Sequence, residues 1–382
     1  MAAENAFQAT SRRDFLRAGG AGMALAALGG CATTATVPES VERKITRQKF
    51  AGLKELPPLM PEATIVKSSL SGRIACKYID DVIWFLRDIA RARPASAFSH
   101  PFLAGLKRLH ERYGYKVQLN LFYRTDFFYG MDEFTLAQVP DAYKAEFQKN
   151  ADWLKFGFHS FQEFPDYPWV NADYEDVAKC LKMIRGEVVR FAGENMFAKA
   201  LIPHWVPMSK DGVRALFDGG IKIVFSTAGA RYAYGGDPDV LPYGHAFRLL
   251  DKRKPETALF TRGHYLSALA ASISGYNHIT AEQNAAVSRS SSYVLDPATG
   301  MGFRGFCTWP MSCINIHSLA QLREKLEVAK DMEFVAYGNH EQYFFKDYFA
   351  YQPEYMEKEE LCARVLAESG HRFIFMEELA GS

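Results

Sequence analysis

From residue 73 onward, apolar positions fall into two alternating patterns, short runs with a period near two and longer runs with a period near 3.6. Residues 73–79 read as a short strand that runs into Asp80-Asp81. Residues 82–92 place Val82, Phe85, Leu86 and Ile89 on one helical face, and residues 101–113 repeat that spacing. A second strand is expected over 116–123, where Val117, Leu119 and Leu121 alternate with polar neighbours, and a third over 151–159. Residues 174–191 form an amphipathic helix pattern (Val177, Leu181, Ile184, Val188) opened by Asp173 as N-cap. Further strands are expected at 198–203, stopped by Pro203, and at 221–225, with a helix over 209–219 between them. Strand character returns over 306–316, followed by a helix at 319–330 and a strand at 333–337 that ends in Gly338-Asn339-His340. A helix at 357–369 and a strand at 372–375 close the chain. Residues 228–305 show little periodicity and read as an insertion over the main sheet. Strand and helix alternating in this way predict an α/β fold, either a mostly parallel sheet or a distorted barrel with helices outside.

The first thirty residues stand apart. Ser11-Arg12-Arg13-Asp14-Phe15-Leu16-Arg17 matches a twin-arginine export motif, and a weakly apolar Ala/Gly run follows over 18–30. That run is shorter than the roughly 20 apolar residues a spanning helix needs. It ends in Leu28-Gly29-Gly30-Cys31, the pattern of a lipoprotein cleavage box with Cys31 as the lipidated residue. The alternative is an ordinary twin-arginine signal with an incidental cysteine. The expected organisation is a signal over 1–30, a tether over 31–65 and one catalytic domain over 66–382. Export by the Tat translocase to the periplasm or cell envelope follows, with the membrane touched only through a lipid at Cys31. Tat substrates cross folded, often with a cofactor in place, which points to a bound metal or cofactor.

Composition narrows the classes. Lys and Arg total 45 against 44 Asp and Glu, a formal net charge of +1, so there is no basic excess to bind nucleic acid by bulk electrostatics. Hydrophobic residues make up 48% and charged residues 23%, a globular balance. Aromatic residues reach 14%, enough for a large core and for a cleft lined with sugar-stacking faces. Beyond Cys31, the cysteines Cys76, Cys180, Cys307, Cys313 and Cys362 show no zinc-site spacing. They read as buried free thiols, with a Cys307–Cys313 loop bridge as the alternative.

Polar groups that act on ligands collect at the carboxyl ends of strands in α/β folds. Four expected strand ends carry unusual groups. These are Asp80-Asp81; His159-Ser160-Phe161-Gln162-Glu163, with Asp166 close behind; Pro203-His204-Trp205; and Asn339-His340-Glu341. Singly, each has a structural explanation, as a helix cap or a hydrogen-bonded core histidine. Converging, imidazoles and carboxylates suit a divalent metal, being the ligands of catalytic zinc, with a position left for water.

At these motifs the chain resembles the polysaccharide deacetylase family, metal-dependent carbohydrate esterases on a deformed (β/α) barrel. Ile79-Asp80-Asp81 is similar to the family's opening Asp-Asp motif, Phe158-His159-Ser160 to its His-Ser/Thr motif, and Ile202-Pro203-His204-Trp205 to its Arg-x-Pro-aromatic motif. The segment Ala336-Tyr337-Gly338-Asn339-His340 resembles the late strand bearing a catalytic histidine. The resemblance covers most of 73–382 and implies a deformed barrel of this type with a long insertion. It implies Asp80 as general base, His340 as general acid, and Asp81 and His159 as metal ligands. The family's second histidine, four residues after the first, is replaced by Glu163, which becomes the expected third ligand, with Asp166 and His204 as competitors. The family's arginine is replaced by Leu201, so Lys77 is the candidate to orient Asp80 and His204 the candidate to reach metal or substrate. Glu341 is a neighbouring carboxylate able to tune His340. Trp169, Trp205 and Trp309 are candidate sugar platforms, Trp309 equally a core residue.

The expected activity is removal of an acyl group from a carbohydrate by metal-activated water, acting on an amide or ester bond. Two alternatives stand beside it. One is a glycoside hydrolase using a carboxylate pair such as Asp81 and Glu163, which leaves the histidines without a task. The other is a non-catalytic sugar-binding lipoprotein on the same scaffold, which the missing histidine and arginine favour.

Overall fold

The computed structural model describes residues 54–125, 133–163, 168–169, 172–206, 208–229, 231–233, 278–348 and 350–381. The expected signal, Cys31, most of the tether, Asp166 and the middle of the insertion lie outside the described residues. Among those described, the strands are β1 (Lys54–Leu56), β2 (Thr64–Val66), β3 (Ile74–Val82), β4 (Val117–Phe122), β5 (Leu154–Ser160) and β6 (Ala200–Leu201). They continue with β7 (Ile223–Ser226), β8 (Arg231–Ala233), β9 (Tyr293–Leu295), β10 (Gly302–Gly305), β11 (Phe334–His340) and β12 (Arg372–Ile374). The α-helices are α1 (Trp84–Ala92), α2 (Pro101–Tyr113), α3 (Lys144–Gln148), α4 (Tyr174–Phe191), α5 (Lys210–Asp218), α6 (Ala281–Val287), α7 (Leu319–Ala329) and α8 (Tyr355–Glu368).

The expected α/β architecture is present. One sheet has the parallel order β11-β3-β4-β5, with β12 paired beside the start of β3. A second has the order β2-β9-β10-β7-β6, parallel from β10 to β6 and antiparallel from β2 to β10. Beside β5 the chain leading into β6, and beside β11 the loop after β10, are held by backbone bonds. Ala198 N donates to Phe156 O at 2.8 Å, and Thr308 N donates to Ala336 O at 2.9 Å.

Strand periodicity sorts the core into two layers. Ile74, Cys76 and Tyr78 of β3 meet Phe334 and Ala336 of β11, Ala200, and Ile223 and Phe225 of β7 in one apolar cluster. Ala75, Ile79, Val335 and Tyr337 face the opposite way, into a larger cluster shared with the helices. Burial on both faces is what a helix-covered parallel sheet requires. Gly338 of β11 is a packing necessity, because a Cβ there would run into the Tyr78 ring.

Several boundaries differ from the pattern-based expectation. Residues 306–316 carry strand-like apolar character but form a loop ending in a short 3₁₀ turn at Ile314–Ile316. Met311 and Ile314 are nevertheless buried, because the loop runs beside β11, and Pro310 removes one of the donors a strand would need. The true strand is Gly302–Gly305, hidden by its glycines and by Arg304, so the expected insertion ends inside the main sheet. Two strands, β1 and β2, lie in or straddle the end of the expected tether and pair with β8 and β9. Asp173 caps α4 as expected, accepting from Asp176 N at 3.0 Å. All five cysteines from Cys76 to Cys362 are free, four of them buried. Among the described residues, no helix is long and apolar enough to cross a membrane.

Candidate metal centre

Consecutive residues of a regular strand point to opposite faces, so Asp80 and Asp81 cannot both reach one site from an ideal β3. The strand breaks that rule. Its pairing with β4 slips between Ile79 and Val82, and Asp81 takes a left-handed backbone with φ 60°. Asp tolerates this conformation better than most residues, and such outliers cluster at functional sites. A second slip, between Leu121/Phe158 and Phe122/Ser160, leaves His159 as the unpaired residue of β5. After β6 the chain turns through Trp205 (φ 61°) and Val206 (φ 75°), and His204 lies against His159.

Three donor atoms converge. Asp81 Oδ1 lies 3.1 Å from His159 Nε2 and 3.3 Å from His204 Nδ1, and the two imidazole nitrogens are 3.1 Å apart. A tetrahedral zinc ion with bonds of about 2.05 Å sets its donors about 3.3 Å apart, so the spacing fits. The other ring nitrogens are fixed by backbone carbonyls, His159 Nδ1 on Ile202 O at 2.7 Å and His204 Nε2 on Glu163 O at 2.7 Å. A carbonyl only accepts, so those nitrogens carry the hydrogens and the opposite nitrogens are turned to Asp81, the arrangement outer partners impose on metal-binding histidines. All three residues are buried.

Electrostatics match the geometry. Burial pushes the Asp81 carboxyl up, but His340, His159 and His204 outweigh it and hold the group well below the usual carboxylate range. Burial pushes His159 down, yet Asp80, Asp81 and the Ile202 carbonyl leave it raised. Burial dominates at His204, which is lowered and stays neutral. Asp80 is raised by burial, against the pull of His159 and His340. The two shifts favour the same pairing, a charged imidazole at His159 beside an ionised Asp81.

Around these atoms sits a layer of fixed polar groups. Asn120 Nδ2 donates to Asp80 Oδ1 at 2.6 Å, and Gln118 Nε2 donates to Asn120 Oδ1 at 2.7 Å and to Ala200 O at 2.8 Å. Gly157 of β5 makes room for this pair, since a Cβ there would approach Asn120 Oδ1 to 2.5 Å. Four successive residues at the end of β11 each do something different. Asn339 Nδ2 donates outward to Glu359 Oε1 at 2.8 Å. His340 Nδ1 donates to Asn315 Oδ1 at 3.1 Å, which leaves Nε2 3.9 Å from Asp81 Oδ2. Glu341 accepts from Ile83 N, Trp84 N and Phe85 N at 2.7, 2.8 and 2.8 Å. Gln342 Nε2 donates to Asp81 Oδ2 at 2.9 Å.

Most of the expected site residues meet here. Asp80, Asp81, His159, His204 and His340 come together, and Trp205 adjoins His204. The third donor beside Asp81 and His159 is His204 rather than Glu163, because the left-handed turn at Trp205 and Val206 returns the histidine inward. Glu163 reaches the site through its backbone carbonyl on His204 and through Gln342, which donates to its Oε2 at 2.9 Å. Lys77 does not orient Asp80: it faces away, 2.9 Å from Glu359 Oε1, and Asn120 takes that role. Glu341 spends its carboxylate on the start of α1 instead of on His340, and there burial pushes it up to about 7 against the pull of three N–H groups. Trp169 is no open platform, being 5% exposed, packed on Phe158, with Nε1 donating to His159 O at 3.0 Å. Trp309 is 44% exposed and outside the core. Asn120, Gln118, Asn315 and Gln342 are additions that residue spacing did not reveal. No family model matches the chain, and no characterised protein matches it in sequence.

Proposed function

We propose that the protein is a metal-dependent hydrolase that removes an acyl group from a carbohydrate, built on a deformed (β/α) barrel. The observation that carries the reading is the Asp81–His159–His204 donor triad set beside a second carboxylate, Asp80, and a third imidazole, His340. The bond from Ala198, at the entry to β6, to Phe156 of β5 and the bond from Thr308, in the loop after β10, to Ala336 of β11 support the barrel, because they tie both edges of the first sheet to segments flanking the second. Asp81, His159 and His204 would hold the metal. When bound, a zinc-like ion supplies Lewis acidity and brings the pKa of water from about 15.7 towards 7.

The protein's own groups then divide the proton transfers. Asp80, buried and oriented by Asn120, is made more basic by burial and takes the proton of the attacking water. His340, its Nδ1–H fixed on Asn315, delivers a proton from Nε2 to the departing oxygen or nitrogen. Trp205 and the exposed Trp309 offer faces for a sugar ring. The Arg12-Arg13 motif and Cys31 support a reading in which the folded protein is exported to the cell envelope and anchored there by lipid.

Elemental analysis of the purified protein beside H159A tests the reading. One equivalent of transition metal in the wild type, lost in the variant, is expected, followed by acetate release from acetylated glycans. A wild type that stays metal-free in the presence of zinc sinks the hydrolase reading and leaves a sugar-binding lipoprotein.

A further inference from the structure

Gln342 is 2% exposed, in the turn that follows β11. Its Nε2 lies 2.9 Å from Asp81 Oδ2 and 2.9 Å from Glu163 Oε2. A primary amide has two N–H bonds, so each hydrogen is committed to one carboxylate. The remaining atom, Oε1, is buried with no hydrogen-bond partner and is therefore turned away from both acids. The opposite oxygen of Asp81, Oδ1, is the one that faces His159 and His204. The Asp81 carboxylate is thus divided, one oxygen for the donor triad and one for the amide.

We propose that Gln342 is a positioning residue of the metal centre, restricting Asp81 to one ligating oxygen and keeping the Glu163 carboxylate beside the centre but outside its ligand set. This inference rests on the metal reading above. A carboxylate freed of its outer partner can rotate and chelate through both oxygens, which changes both affinity and coordination number. Outer-shell hydrogen bonds of this kind carry about 10–100-fold in metal affinity.

The test uses the full-length chain as wild type, Q342M, E163Q and F373L, titrated with Co²⁺ and Zn²⁺ against a chromophoric chelator. Methionine keeps the length and the apolar stem of glutamine and removes the N–H groups. F373L is a destabilised control at the far end of the strands, where Phe373 pairs with Ala75. Q342M is expected to bind one equivalent with Kd weakened by about 10–100-fold. Its Co²⁺ visible bands should weaken as the ion moves from four ligands towards five or six. F373L should lower Tm without moving either readout, and E163Q should bind with an affinity close to wild type. Q342M with the wild-type Kd and spectrum overturns the assignment. Loss of metal in E163Q as complete as in H159A also overturns it, by making Glu163 a ligand, and stands even where Q342M fails to fold. A wild type that binds neither ion overturns the metal reading, and the wild-type titration tells that failure from the others.

Discussion

Two buried charged clusters flank β3, four residues apart, and they are built to opposite ends. On the helix side, Lys77 and Glu359 are both fully buried and 2.9 Å apart. Tyr115 OH donates to Glu359 Oε2 at 2.8 Å, and Asn339 Nδ2 donates to Oε1 at 2.8 Å. One cation meets one anion, and both carboxylate oxygens are hydrogen-bonded. On the other side, Asp80 and Asp81 meet three imidazoles, and only a proton or a metal ion reconciles their lone pairs. Residues 77 and 81 share a strand phase and would share a face in regular β-structure. The slip between Ile79 and Val82, with the left-handed Asp81, moves the second charge towards His159 and His204. A closed ion pair fixes a strand; an oversupplied donor set at the same strand's end could hold a metal ion.

The largest effect expected from breaking this contrast is at the closed pair. K77M leaves the Glu359 carboxylate buried without its counter-charge and should cost about 3–5 kcal/mol of stability in denaturant unfolding. K77M/E359Q should recover most of that loss, because glutamine still accepts from Tyr115 without burying a lone charge. A K77M protein as stable as wild type would mean the pair is solvated and the two clusters are not different in kind. The next effect is at the open cluster. D81N should abolish metal-dependent stabilisation, worth about 2.7 kcal/mol when free zinc exceeds Kd a hundredfold. Without metal, D81N should be milder than K77M, because asparagine keeps an acceptor for the His159 N–H and His159 can shed its proton. Thermal melts with and without zinc measure both quantities.

The part of this arrangement that was legible in the sequence is local. Strand periodicity located β3, β4, β5 and β11 to within a few residues, and the polar residues at their ends, Asp80-Asp81, His159 and His340, were visible as interruptions of apolar runs. What depends on long-range register was not. Gln118 and Asn120 read as the polar half of an alternating strand, yet both are fully buried and brace Asp80 because Gly157 of β5 opens space for them. Helix α1 has no acidic residue in its first turn and no cap of its own, since Glu341 caps it from 256–258 residues away. His204 replaced Glu163 as third donor through two left-handed residues, Trp205 and Val206, that no side-chain pattern announces. Arg304 masked β10 in the same way, as a charged residue buried inside a short glycine-bounded strand.

The smallest predicted effect separates the clusters by pH. In the metal-free protein His159 is raised above 6.5, chiefly by Asp80 and Asp81 working against burial. A raised folded-state pKa contributes stability that is complete below the unfolded value, about 6.5, and is lost as pH rises through the folded value. Metal binding runs the other way, since Nε2 must give up that proton to become a ligand. Above pH 7, therefore, metal-free stability should fall while metal affinity rises, each by at most about 1.4 kcal/mol per pH unit for one proton. Both slopes should vanish together above the His159 pKa. Chemical unfolding of the metal-free protein and competition titration of zinc, run over the same buffers from pH 7 upward, measure the two slopes. H159A should flatten the first, while K77M, whose charge change lies on the opposite face of β3, should leave it in place. Slopes of the same sign would mean that His159 is neutral in the metal-free protein and that no proton stands in the metal's position.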